Sequence, residues 1–105
     1  MEYNGWFKRN TSSLEGKTVV LTGAAGGIGT QCCFHLARLG ADIVAIDRNI
    51  EGLEKLKSAL LEKHANLNVE IIAADLSNMA DVQKCVEKLK KLSRIDILVH
   101  NAGVF

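Results

Sequence analysis

The sequence predicts an α/β fold: a doubly wound parallel sheet reading β-α-β-α-β-α-β, strand order 3-2-1-4, ending after the fourth strand. Three observations predict it. Four short apolar runs recur along the 105 residues, separated by stretches with helical spacing. Four of the nine glycines fall between positions 23 and 29, where the first run stops. Proline is absent, so no element contains a residue unable to donate a backbone hydrogen bond.

Val19, Val20, Leu21 and Thr22 form the first strand, apolar and β-branched enough to be buried on both faces. Ile28, Cys32, Leu36 and Leu39 follow at helical spacing, and Gly40 supplies the stop. The second strand covers 43–46 and ends at Asp47. A helix over 50–63 carries Leu53, Leu56 and Leu60 along one side, with lysines and glutamates outside. The third strand, 69–74, ends at Asp75. Ser77 or Asn78 can then cap a helix whose apolar stripe is Met79, Val82, Val86 and Leu89. Lys84, Glu87, Lys88 and Lys91 form its solvated side, and 95–99 is the fourth strand. Right-handed crossovers place the first two helices on one sheet face and the third on the other. The fourth strand is an edge.

Thirteen Lys+Arg against twelve Asp+Glu leave a net charge of +1, without the basic excess of a nucleic-acid binder. With 48% hydrophobic and 24% charged residues the chain is neither disordered nor membrane-spanning. Cys32, Cys33 and Cys85 contain no C-x-x-C, which points to free thiols in a reducing, cytoplasmic setting. Cys32 is expected in the core, Cys33 and Cys85 as ordinary helix residues. His35, His64 and His100 lack ligand spacing, so no metal is expected. Residues 1–16 read as an N-terminal arm whose Tyr3, Trp6 and Phe7 pack on the domain formed by 17–105, and no signal peptide is visible.

The glycine cluster reads Thr22-Gly23-Ala24-Ala25-Gly26-Gly27-Ile28-Gly29, at the passage from first strand to first helix. Free N–H groups and the positive end of the helix dipole meet there, a setting suited to a pyrophosphate. A Cβ would obstruct the tight turn or the approach of a phosphate, so Gly23, Gly27 and Gly29 carry the site. A plain strand-to-helix turn would also use glycine, but Asp47 closes the second strand 18 residues after Gly29. That carboxylate suits an adenosine ribose 2′-OH and favours NAD; Arg48 beside it leaves NADP open. Thr30 and Gln31 follow Gly29 in place of Lys and Ser/Thr, which excludes a P-loop.

The Gly-x-x-x-Gly-x-Gly spacing after Thr22 resembles the cofactor motif of classical short-chain dehydrogenases/reductases, Ile28 included. Three further stretches match in order: Leu14-Glu15-Gly16-Lys17 before the first strand, Asp75-Leu76 after the third, and Asn101-Ala102-Gly103 after the fourth. The resemblance covers 14–105 and implies a Rossmann-type domain. It assigns Asp75 and Leu76 to the adenine ring, and Asn101, Ala102 and Gly103 to the cofactor ribose. It implies hydride transfer between NAD(P) and an alcohol or carbonyl substrate, in a complete enzyme that forms homo-oligomers. His100 stands where the family often has a second Asn, a swap expected to touch packing more than chemistry. The family's catalytic Ser and Tyr-x-x-x-Lys lie beyond the fourth strand, and the sole tyrosine here is Tyr3. No catalytic residue carries over. The chain reads as the cofactor-binding front of a longer oxidoreductase, and a non-catalytic dinucleotide-binding or regulatory module or a non-functional truncation product are the alternatives.

Overall fold

The side chains of Val19, Val20 and Leu21 are all fully buried, which places β1 (Thr18–Thr22) in the interior of the sheet. The computed structural model describes residues 13–101. Within them α1 (Gly27–Arg38), β2 (Asp42–Asp47), α2 (Ile50–Lys63), β3 (Val69–Ala73), α3 (Met79–Lys90) and β4 (Ile97–His100) follow β1. The four strands are parallel, in the order β3-β2-β1-β4. The aromatic cluster of the expected arm, with Ala102 and Gly103, lies outside the described residues.

Alternation along the strands divides the core in two. Leu21, Ile43, Ala45 and Val69 pack with Cys33 and Ala37 of α1 and Leu53, Leu56 and Leu60 of α2. Val20, Val44, Ile46 and Ile72 face the other way, onto Cys85 of α3, with Leu89 and Leu92 partly buried beside them. Two helices therefore cover one face and one the other, as right-handed crossovers require.

Two helical faces differ from the sequence reading. In α1 the buried positions are Gly29, Cys33 and Ala37, one residue on from the expected stripe; Ile28 is 71% exposed and Cys32 is half-buried. Small side chains four apart let the helix axis approach the sheet closely, and that proximity outweighs the larger apolar surface of Ile28 and Leu36. In α3 the buried residue is Cys85, while Met79 is 71% exposed and Val86 is exposed too. Cys85 and Leu89, again four apart, form the ridge against the sheet. Burial pushes the Cys33 thiol up to about 12, with neighbouring Cys32 adding to the effect, and burial raises Cys85 as well. Both are packing residues with little thiolate.

Gly40 closes α1 as expected, at φ +92° just past the C-cap Leu39. Next to it the lead-in is tied down, the Leu14 N–H donating to Leu39 O at 2.7 Å.

β4 begins two residues later than expected, because Asp96 serves as its anchor. The Thr18 N–H donates to Asp96 Oδ2 at 2.8 Å, and the Asp96 N–H donates to Thr18 O at 2.9 Å. Arg94 Nε donates to Asp96 Oδ1 at 3.0 Å. The Arg94 hydrogen bond, then the Thr18 N–H, hold the Asp96 carboxyl below its ordinary value of 3.8. A carboxylate depressed in the folded state stabilises the fold above its unfolded pKa and loses that contribution as pH falls through the folded one. Acidification from pH 5 to pH 3 is expected to loosen β4, and Asp96→Asn to flatten that limb of the urea-midpoint profile. Equal acid slopes in the two proteins would refute this role.

Candidate cofactor site

β1 delivers the chain to Gly23, whose φ of +70° turns it sharply where a side chain would be strained. The Gly26 N–H donates to Gly23 O at 3.2 Å, and α1 starts at once, the Thr30 N–H reaching Gly26 O at 2.8 Å. Thr30 Oγ1 donates to Ala24 O at 3.0 Å and stiffens the turn from inside. A Cβ on Gly29 would lie 2.0 Å from Gly23 O and 2.9 Å from Gly23 C, so strand and helix meet here without room for any side chain. Gly27 is different: a Cβ there meets no atom within 4 Å. The fold does not require glycine at 27, and the space it leaves open lies over the first turn of α1.

That first turn is electrostatically bare. Its N-cap is Gly26, no side chain caps it, and it contains no acidic residue. α2 and α3 are finished in the ordinary way. Asn49 caps Gly52 N–H with Glu51 in the first turn, and Asn78 caps Ala80 and Asp81 with Asp81 in the first turn. Among the described helices α1 alone leaves its N–H groups and positive dipole end to an outside anion.

Asp47, ending β2, faces the turn. Its Oδ2 accepts the Ala25 N–H and its Oδ1 the Asn49 N–H, both at 3.0 Å. Arg48 is exposed, and its positive charge is among the influences that lower the Asp75 carboxyl. The largest of these is the Ser77 hydroxyl, which donates to Asp75 Oδ1 at 2.6 Å; the Ser77 N–H is next, at 3.0 Å. The Asp75 N–H donates to Asp81 Oδ2 at 2.8 Å, tying the end of β3 to α3. Leu76 is half-buried against the Val20–Val44 side of the sheet.

Asn101 approaches from β4. Its N–H donates to Thr22 Oγ1 at 3.0 Å and its Nδ2 to Gly23 O at 3.4 Å. His100 Nδ1 is 3.1 Å from Thr22 Oγ1. The histidine is exposed, so its place in the motif touches hydrogen bonding rather than the packing expected from sequence. Gly23, Gly27, Ile28, Gly29, Asp47, Arg48, Asp75 and Asn101 thus cluster along the C-terminal edge of the sheet, where ligands of open α/β sheets bind. Sequence reasoning missed Ala25, Asn49 and Gly52 around the Asp47 carboxylate; Asn49 three residues before Gly52 was a legible cap signal.

The sequence model of the short chain dehydrogenase family matches residues 17–105. This chain belongs to that family. A "Dehydrogenase/reductase SDR family protein 7-like" of Dictyostelium discoideum is 40% identical over 96 residues, 88% of this chain and 30% of the relative. Among solved structures, a 3-ketoacyl-(acyl-carrier-protein) reductase from Brucella melitensis complexed with NADH shares 39% identity at a TM-score of 0.74. The match covers 88% of this chain and 36% of that one. L-Sorbose reductase from Gluconobacter frateurii, complexed with NADPH and L-sorbose, shares 33% at a TM-score of 0.79, covering 88% and 35%. The chain spans about a third of the length of these proteins. Among the described residues no group of three or more His, Cys, Asp or Glu could hold a metal, and no helix is long and apolar enough to cross a membrane.

Proposed function

We propose that this chain is the nicotinamide-dinucleotide-binding portion of a short-chain oxidoreductase acting on an alcohol or carbonyl substrate. The observation that carries the reading is the bare α1 N-terminus beneath the open space at Gly27. The N–H groups of Ala24, Ala25 and Gly26 are taken up within the protein. Gly27, Ile28 and Gly29 of the uncapped first turn therefore present theirs to a pyrophosphate, and Asp47 accepts from the adenosine ribose, which favours NAD over NADP. The family resemblance assigns Asp75 and Leu76 to the adenine, and the Asn101-Ala102-Gly103 motif to the cofactor ribose. The cofactor supplies a hydride donor or acceptor when bound. Support comes from the family membership and from the NADH and NADPH complexes of the two reductases.

Titrating NADH into the protein by fluorescence tests the reading. Gly27→Ala is expected to weaken binding while leaving the urea midpoint at or above wild type, because alanine favours the helix and fills the phosphate space. Asp47→Ala removes a charged acceptor worth about 1.5–3 kcal/mol, so NADH affinity is expected to fall roughly 10- to 100-fold and the gap to NADPH to narrow. Unchanged NADH binding in both variants would sink the assignment. The Ser and Tyr-x-x-x-Lys set is not carried over, which favours a chain that binds without turning over. A panel of alcohols and ketones with NAD(H) is expected to give no reaction from the purified 105-residue species, and turnover that copurifies with it would overturn that expectation.

A further inference from the structure

Four residues from three segments close a ring beside the glycine turn. The Ala25 N–H donates to Asp47 Oδ2, the Asn49 N–H to Asp47 Oδ1, and the Gly52 N–H to Asn49 Oδ1, each at 3.0 Å. The last side of the ring is steric. A Cβ on Gly52 would lie 2.9 Å from Ala25 Cβ and 2.8 Å from Asn49 Nδ2. The asparagine amide can swing aside at the expense of its cap, but Ala25 Cβ moves only with its own backbone. That backbone is the middle of the turn.

We propose that Gly52, the third residue of α2, is a positioning residue of the dinucleotide site: its missing side chain lets Ala25 sit where the Asp47 carboxylate holds its N–H. The inference rests on the dinucleotide reading and adds a residue that contacts no cofactor in it. Asp47 then has two tasks, accepting from the ribose and fixing the turn that receives the pyrophosphate, and Gly52 keeps the two compatible. Local propensity argues the other way, since alanine at a helical position is favoured over glycine. Gly52 therefore separates helix stability from turn geometry.

The test is a cycle of Gly52→Ala, Ala25→Gly and the double variant in the 105-residue chain. The first readout is the backbone amide of residue 25, followed by NMR and hydrogen exchange without ligand; the second is NADH titration. Gly52→Ala is expected to shift the residue-25 amide, quicken its exchange and weaken NADH about tenfold, in line with overpacking against backbone. In the double variant the colliding methyl of Ala25 is gone, and both readouts are expected to return to those of Ala25→Gly alone. An unmoved residue-25 amide in Gly52→Ala, or a double variant as impaired as Gly52→Ala, would overturn the proposal. If Gly52→Ala does not fold, the comparison of the double variant with Ala25→Gly decides. Wild-type protein that ignores NADH would refute the dinucleotide reading, and the amide measurement would still judge the role of Gly52.

Discussion

Gly29→Ala is expected to destabilise this chain by about 3 kcal/mol, the upper range for overpacking, and to abolish dinucleotide binding. The added methyl would sit 2.0 Å from Gly23 O, 2.9 Å from Gly23 C and 3.0 Å from Ala24 Cα. All three contacts are backbone, so no rotamer change relieves them. Either α1 lifts from β1 or the turn opens, and each movement breaks the short path from Gly23 to the first helical hydrogen bond. Gly29 is also one of the three positions by which α1 lies on the sheet, so Cys33 and Ala37 would lose contact with it. Gly29→Val repeats the collision with more bulk. Gly27→Ala, two residues away, is the matched control, because its methyl meets nothing. Urea denaturation with NADH titration of the pair is decisive: a Gly29→Ala protein as stable as Gly27→Ala would show that strand and helix do not need to meet here.

The contrast between these glycines shows what the sequence could reveal. Topology was legible because β1 and β2 are apolar and β-branched over lengths that suit strands, and because Leu53, Leu56 and Leu60 recur at helical spacing through α2. The glycine motif marked the candidate site for the same local reason, a turn between strand and helix. The rotation of α1 and α3 about their axes was less legible. Ile28 and Met79 outrank Gly29 and Cys85 in apolar surface, yet the smaller residues lie inside, because distance to the sheet selects for size. Hydrophobic stripes report greasy surface rather than the closest approach. The ring through Ala25 and Gly52 was out of reach, since it joins positions 27 apart through a contact that neither segment signals alone.

The sheet edge supplies the second large expected effect, self-association of the 105-residue chain that a single charge relieves. β4 pairs with β1 on one side, and among the described residues the order β3-β2-β1-β4 leaves its other side without a strand. Leu98 stands opposite the fully buried Val20 in the register, yet it is 66% exposed. α3 lies over Val20, Val44 and Ile72, and the apolar surface continues past it onto Leu98. Ile97 and Ile95 are exposed nearby. A strand edge that is both unpaired and apolar is a template for another chain, and burying a leucine of this kind is worth about 1.5–3 kcal/mol. Wild-type protein at micromolar concentration is therefore expected to elute larger than a monomer and to bind a dye for exposed apolar surface. Leu98→Lys places a charge on the edge, as natural edge strands do, and is expected to move the population to monomer while the urea transition stays cooperative. Gel filtration with light scattering reads the difference. A wild-type monomer with no dye binding would mean that β4 is already protected, and a Leu98→Lys protein that associates like wild type would place the contact elsewhere.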